Sequence, residues 1–191
     1  MLSAAGWLAW ARDTLAPGTG FDALLAGAQD WPPGVEGLTF LPYLNGERTP
    51  MPTPTRRARS SCSLRHDRSA LLGAVLEGVA FGLRDGLDLI RTLSIEATAG
   101  RLTGGGARSE LWTTILASVL PLTRVAANEG AAFGAALLGG VAAGVWPDVD
   151  AATDATVRTG ATVEPVDAWI ARYREAAERF RSLYPALRDA R

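Results

Sequence analysis

The stretch RLTGGGARSELW, residues 101–112, decides the fold, because it places a turn without side chains between an extended segment and a helix. Three consecutive glycines, Gly104, Gly105 and Gly106, form that turn, although glycine loses more backbone entropy on folding than any other residue. Chains accept this loss where another group must approach the backbone closely. Free N–H groups at the start of a helix attract anions. The stretch therefore predicts a phosphate-binding turn, with a purely structural tight turn as the alternative.

The segments around this turn predict a single α/β domain over residues 1–191. Apolar residues recur every three or four positions over residues 67–93 and in the closing segment, and this spacing predicts two amphipathic helices. No regular element is assigned to the polar residues 148–164. Strand, loop and helix alternate, which is typical of an α/β fold. The other predicted elements are helices over 2–15, 20–29, 107–118 and 131–144, and extended segments over 37–44, 100–103 and 122–126.

The long helix carries a row of glycines at Gly78, Gly82 and Gly86. Each glycine costs about 1 kcal/mol relative to alanine in a helix interior. A row without side chains lets another part of the backbone pack closely against the helix. We therefore expect this helix to be central and tightly packed.

Composition excludes several classes of function. Arginine and lysine total 19 against 20 acidic residues, and all 19 are arginine, so nucleic-acid binding is not expected. Without lysine the chain can form neither a Walker A loop nor a Schiff base, and bound phosphate must be held by backbone N–H groups and arginine. The single Cys62 and single His66 cannot build a disulfide or a zinc site. We expect a cytoplasmic protein without a signal peptide or membrane span.

Residues 50–63, PMPTPTRRARSSCS, interrupt the pattern of helices and strands. They contain three prolines and three arginines and almost no apolar side chains. Such a composition suits neither a strand nor a helix interior. An exposed or disordered loop is predicted here.

A dinucleotide-binding site is one alternative for the glycine turn. The fingerprint G-x-G-x-x-G matches at Gly104 and Gly106 but fails at Ser109. Glu129 follows at about the distance expected of a ribose-binding acid. An NAD(P)-binding domain therefore stays open as a third candidate.

Four motifs carry a resemblance to a known family. In order and spacing, the chain resembles the carboxy-terminal half of xylulokinases, which belong to the FGGY sugar kinase family with the actin-like ATPase (RNase H-like) fold. The resemblance implies a domain that binds ATP within an enzyme of sugar metabolism. The motifs are FLPYLNGERTP (40–50), AVLEGVAFGLRDGLDLI (74–90), GGGARSELWTTILASVL (104–120) and GAAFGAALLG (130–139).

The resemblance also implies positions for the nucleotide. Gly104, Gly105, Gly106 and Ala107 are expected to approach ATP, with Ser109 and Glu110 near its ribose or base. The small residues Gly130, Ala131 and Gly134 are expected to shape the adenine pocket, with tight helix packing as the alternative.

Phosphoryl transfer needs parts that the resemblance places elsewhere. A carboxylate base and the Mg²⁺ ligands lie in the amino-terminal half of such kinases, and no aspartate of this chain matches the base. We therefore assign no catalytic and no metal-binding residue, and expect the chain to be inactive alone. Association with an amino-terminal kinase half or with a second copy is expected, because Met1 matches an internal position of the family. A non-catalytic nucleotide-binding or interaction module from a truncated gene is the alternative function.

One departure from the family falls at residues 51–63. There the resemblance predicts an apolar strand, but the chain reads MPTPTRRARSSCS. We expect that this strand is lost, and an out-of-frame stretch of the gene is our hypothesis for its origin. Loss of the strand would expose its neighbours' edges and reduce the core.

Overall fold

The computed structural model describes residues 4–42, 59–61, 63–97, 99–120, 123–127 and 130–188. Within these ranges helices predominate, and short strands form two small sheets. The α-helices are α1 (Ala4–Leu15), α2 (Phe21–Leu25), α3 (Arg68–Thr92), α4 (Glu110–Val119), α5 (Ala131–Ala142), α6 (Val149–Thr156) and α7 (Asp167–Arg188). The strands are β1 (Thr39–Leu41), β2 (Arg59–Ser61), β3 (Ala99–Leu102), β4 (Thr123–Ala127) and β5 (Thr159–Val163).

Helix α3 is the centre of the molecule, as its glycine row predicted. The Asp67 carboxylate caps its first turn by accepting a hydrogen bond from the Ala70 N–H at 2.9 Å. Its first half is buried, with Leu72, Leu76 and Val79 fully enclosed. Helices α1, α2, α4 and α7 and strand β1 all pack against it. One helix therefore organises the core that supports the rest of the chain.

The glycine row of α3 behaves differently at its two ends. A methyl group at Gly78 would overlap the carbonyl oxygen of Phe40, because strand β1 lies directly against the helix. At Gly86 no atom of the described residues lies within 4 Å of the position a methyl group would take. The predicted close backbone approach is confirmed at Gly78. It is wrong at Gly86, because the second half of α3 emerges toward the surface and no described backbone lies against that glycine.

Strand β2 corrects the prediction for residues 50–63. Residues 59–61 pair with β1 in antiparallel register, and Phe40 lies opposite Ser60. Strand pairing uses backbone N–H and C=O groups, so polar side chains are tolerated in a short strand at a sheet edge. A strand therefore exists inside the segment predicted to be a loop and to have lost its strand. Residues 43–58 and residue 62 lie outside the described residues.

The second sheet has the order β3-β4-β5. Strands β3 and β4 are parallel, and β5 runs antiparallel to β4. Strand β5 and helix α6 both fall within residues 148–164, to which no regular element was assigned. Asp148 caps α6 by accepting a hydrogen bond from the Ala151 N–H at 2.8 Å. Neither element was predicted, because residues 148–164 are mostly polar. In α6 only Ala152 is buried, so the helix has no apolar stripe.

Helix α7 closes the core along the predicted stripe. Tyr173, Ala176 and Phe180 are buried, and both Tyr173 and Phe180 contact the ring of Phe81 on α3. Arg181 donates to the Asp85 carboxylate at 2.6 Å and to a second aspartate of α3 at 2.6 Å. The helices α3 and α7 are thus joined by ring contacts inside and ion pairs outside.

Helix α5 is apolar along its whole length, yet none of its described residues is buried. Leu138 is 58% exposed, and Val145 just beyond the helix is 64% exposed. Its contacts are mainly with α6. Among the described residues no helix is long and apolar enough to cross a membrane.

Candidate functional site

The glycine turn joins strand β3 to helix α4, as predicted. Gly104 follows the strand, and residues Gly105–Arg108 form one turn of 3₁₀ helix. Two backbone bonds close it, from the Ala107 N–H to the Gly104 carbonyl at 3.1 Å and from the Ser109 N–H to the Gly106 carbonyl at 3.3 Å. The Ser109 hydroxyl then caps α4 by accepting a hydrogen bond from the backbone N–H of its third residue at 3.2 Å.

The structure distinguishes the three glycines. Gly104 has φ +81°, a left-handed conformation that favours glycine. A methyl group at Gly106 would lie 2.6 Å from the Trp112 ring, so packing requires glycine there. At Gly105 no atom of the described residues lies within 4 Å of the methyl position. The structural alternative therefore explains two glycines, and the third leaves open space on the turn.

That open space belongs to a cavity of ≈ 440 Å³ between the glycine turn and the first two helices. Gly105 and Gly106 form one wall together with Arg108 and Ser109. The facing wall comes from α1 and α2. Its side chains are mostly apolar, and the residues beyond the turn that line the cavity are Leu8, Phe21, Asp22, Leu25 and Trp112.

Two opposite charges line this cavity. Asp22 belongs to the α2 wall and Arg108 to the wall of the glycine turn. Neither side chain forms an ion pair or a hydrogen bond with a described residue, so they are not joined to each other. The cavity thus carries an anionic and a cationic group that are both available to a ligand.

An aromatic ring lines the α2 wall. Phe21 is 41% exposed, and the Arg12 guanidinium lies 4.7 Å from its ring centroid. Arg12 is itself held by Asp13 at 2.7 Å. On the other wall Trp112 is buried, and its indole N–H has no hydrogen-bond partner among the described residues. Exposed aromatic surface therefore comes from Phe21, whereas Trp112, at 5% exposure, offers little.

The second predicted set, Gly130, Ala131 and Gly134, does not line the cavity. All three are exposed at the start of α5. Among the described residues no atom lies within 4 Å of a methyl group placed at Gly130 or Gly134, so packing within that part of the chain does not explain these glycines. Strands β3 and β4 are parallel, so the segments that follow them, the glycine turn and the start of α5, leave the sheet at the same edge.

Gly104, Ala107 and Glu110, which are also predicted to approach the nucleotide, lie near the cavity but do not line it. Ala107 is half-buried within the turn, and Glu110 is exposed in the first turn of α4. No local signal in the sequence points to the residues of α1 and α2, which lie some 80 positions away in the chain. Only Arg108 and Trp112, inside the opening motif, could have been chosen from the sequence.

Other candidate groups play no part in this cavity. His66 closes a turn by accepting a hydrogen bond from the Ser63 N–H at 3.0 Å and lies near the Trp31 ring. Cys62 and Glu129 lie outside the described residues. No group of three or more His, Cys, Asp or Glu side chains in the described part of the chain could hold a metal ion.

A buried carboxylate lies elsewhere, in the middle of α3. Glu77 is only 4% exposed, and the Gly34 N–H donates to its Oε1 at 2.9 Å. Burial raises its pKa to about 8, against the opposing effects of the Gly34 bond, a Tyr173 hydrogen bond and the Arg179 charge. Glu77 does not line the cavity, so its role is in the core.

Comparison with known proteins assigns this arrangement to a family. Residues 3–143 match the model of the C-terminal domain of the FGGY family of carbohydrate kinases. The chain is 40% identical over 147 residues to xylulose kinase from Escherichia coli, covering 75% of this chain and 30% of that protein. It is 28% identical over 190 residues to xylulose kinase from Bacillus subtilis, covering 97% of this chain and 38% of that protein.

The fold of a solved relative agrees. A Brucella ovis protein described as a xyloylose kinase superimposes with a TM-score of 0.88 at 37% identity, over 100% of this chain and 40% of that one. The chain thus spans less than half the length of the relatives it matches. These matches favour a kinase over the dinucleotide-binding alternative.

Proposed function

Because the chain belongs to the FGGY family of carbohydrate kinases, as a C-terminal domain, we propose that it binds ATP and ADP as part of a sugar kinase most similar to xylulokinase. The finer fold assignment, a carboxy-terminal half of the actin-like ATPase type, belongs to the same proposal. Its support is the parallel pair β3 and β4 with the glycine turn at the end of β3.

One observation carries the proposal. Gly105 is the glycine that neither backbone conformation nor packing requires, and it lines a cavity. A ligand that approaches the turn closely explains its missing side chain. Arg108 on the same wall supplies a positive charge for a phosphate, in a chain that has no lysine.

The chemistry of this domain is binding and positioning. Backbone N–H groups of the turn and Arg108 would hold the phosphates, and the apolar wall of α1 and α2 would hold the base. In the complete kinase the reaction would be ATP plus D-xylulose to ADP plus D-xylulose 5-phosphate. The described residues contain no group of three or more His, Cys, Asp or Glu side chains that could hold a metal ion, so no residue of this domain is assigned to Mg²⁺. No catalytic base is assigned either, because no aspartate of the chain matches the base of the family.

Two locations compete for the adenine ring. The resemblance places it near Gly130, Ala131 and Gly134, whereas the cavity favours the wall of α1 and α2. A Gly134→Leu variant separates them, because no atom of the described residues lies within 4 Å of the Cβ position at Gly134. Unchanged ATP affinity assigns the base to the cavity wall, and a large loss assigns it to α5.

Partners are part of the proposal as well. The exposed apolar side chains of α5, among them Leu138, support association with an amino-terminal kinase half or with a second copy. Light scattering across a concentration series tests the second-copy case.

Calorimetric titration with ATP, ADP and NADH tests the main proposal. Adenine nucleotide binding with thermal protection is expected, and a ligand at 100 times its Kd should stabilise the fold by about 2.7 kcal/mol. Failure of ATP and ADP to bind refutes the proposal, and preference for NADH favours the dehydrogenase alternative. A coupled ADP-release assay with D-xylulose should show no turnover; turnover would contradict the absence of a base.

A further inference from the structure

We infer that Phe21 and Asp22, at the start of α2, select a nucleotide whose base carries an exocyclic amine. The inference rests on the proposed nucleotide function and goes beyond it by naming what reads the base. Neither residue belongs to a recognised motif of the sequence. Both line the cavity on the wall that faces the glycine turn.

The separated charges of the cavity define the ligand. Arg108 stands on the wall of the glycine turn and Asp22 on the facing wall, and neither is paired with a described residue. A ligand that satisfies both has an anion at one end and a hydrogen-bond donor at the other. A nucleoside triphosphate with an amino-bearing base has this form.

The ring of Phe21 supplies an apolar surface on the same wall of the cavity as Asp22. It is 41% exposed although it is a large apolar side chain, and the Arg12 guanidinium 4.7 Å from its centroid restrains it. Aromatic rings bind nucleobases by stacking without selecting among them. Phe21 therefore contributes affinity, and selection must come from the neighbouring polar group.

Asp22 is that group. A carboxylate accepts hydrogen bonds and cannot donate them, so it pairs with the amine of adenine. A base without a donor at that edge cannot form this bond, although the carboxylate then stays hydrated because Asp22 is exposed. Discrimination therefore depends on the hydrogen bond that Asp22 accepts.

The test compares ATP with the triphosphate of purine riboside, which has the same ring system but lacks the amine. The wild-type chain should bind ATP about tenfold more tightly, as one hydrogen bond to a charged acceptor implies. Asp22→Ala should weaken ATP about tenfold and leave the analogue unchanged, and Asp22→Asn should restore part of the preference. Phe21→Leu should weaken both ligands equally.

Asp30→Ala is the matched control, because Asp30 is exposed and does not line the cavity. Thermal unfolding of each variant without ligand checks that the fold is intact. Equal wild-type affinity for the two ligands, or a preference that survives Asp22→Ala, overturns the inference while nucleotide binding stands. If neither ligand binds the wild type, the proposed function itself fails.

Discussion

Replacing the buried Glu77 by glutamine should change how the stability of this fold depends on pH. The Glu77 carboxyl group is 4% exposed and accepts a hydrogen bond from the Gly34 N–H at 2.9 Å. Burial disfavours its charged form and raises its pKa from 4.5 to about 8. Glutamine has the same shape, can accept the same bond through its amide oxygen, and does not ionise.

The direction follows from the two pKa values. Above pH 4.5 the unfolded chain releases the Glu77 proton, whereas the folded chain retains it until about pH 8. The contribution of Glu77 to stability is therefore complete below pH 4.5 and is lost as the pH rises to about 8. The slope is about 1.4 kcal/mol per pH unit, so between pH 5 and pH 7 the loss is about 3 kcal/mol.

Urea unfolding of the wild type and Glu77→Gln at pH 5, 6, 7 and 8 measures this effect. The difference between the two free energies of unfolding should shift by about 3 kcal/mol in favour of the variant from pH 5 to pH 7. Burial also raises the pKa of Asp85. Because Asp85 is present in both proteins, its contribution cancels in the difference between their free energies of unfolding. Glu178→Gln on the exposed face of α7 is the control and should show a constant difference. A constant difference for Glu77→Gln as well would refute the reasoning.

Three further predictions use substitutions whose surroundings are known. Gly78→Ala should cost about 1–3 kcal/mol because its methyl group meets the β1 carbonyl, while Gly86→Ala, in open space, should gain about 0.5–1 kcal/mol; chemical denaturation measures both. Asp67→Ala should cost about 1 kcal/mol by removing the cap of α3, and an unchanged melting temperature would contradict it. Gly105→Val should leave the melting temperature unchanged but abolish ADP binding in calorimetry, whereas Gly104→Ala should cost about 1–2 kcal/mol because of its positive φ.

The long helices could be predicted from the sequence because their apolar stripes face a core that is buried along several turns. Tyr173, Ala176 and Phe180 on α7 illustrate this, since all three are buried at the predicted spacing. Helix α6 could not be predicted from the sequence, because Ala152 is its only buried residue. Strand β5, with the sequence TGATV, could not be predicted either, because it has no run of large apolar side chains. Strand β2 was not predicted for a related reason, because it pairs with β1 through backbone groups and needs no apolar side chain.

The candidate site likewise has one part that could be predicted from the sequence and one part that could not. Its glycine wall comes from one continuous motif, so Gly105, Gly106 and Ser109 could be chosen from the sequence, and Arg108 belongs to the same motif. Its facing wall consists of Leu8, Phe21, Asp22 and Leu25, which reach the turn only because α1 and α2 pack against α3. Contacts between segments this far apart in the chain produce no local spacing pattern, so these residues could not be predicted from the sequence.

Gly104, Gly105 and Gly106 are the same residue type for different physical reasons, and only their geometry in the structure distinguishes these reasons. The positive φ angle of Gly104 favours glycine, and the Trp112 ring leaves no room for a side chain at Gly106. Both glycines are therefore explained without a ligand. Gly105 has no such constraint, and a side chain there would extend into the cavity that Arg108 also lines. If Gly105→Val bound ADP as well as the wild type, the turn would be a structural device and the nucleotide would have to bind elsewhere.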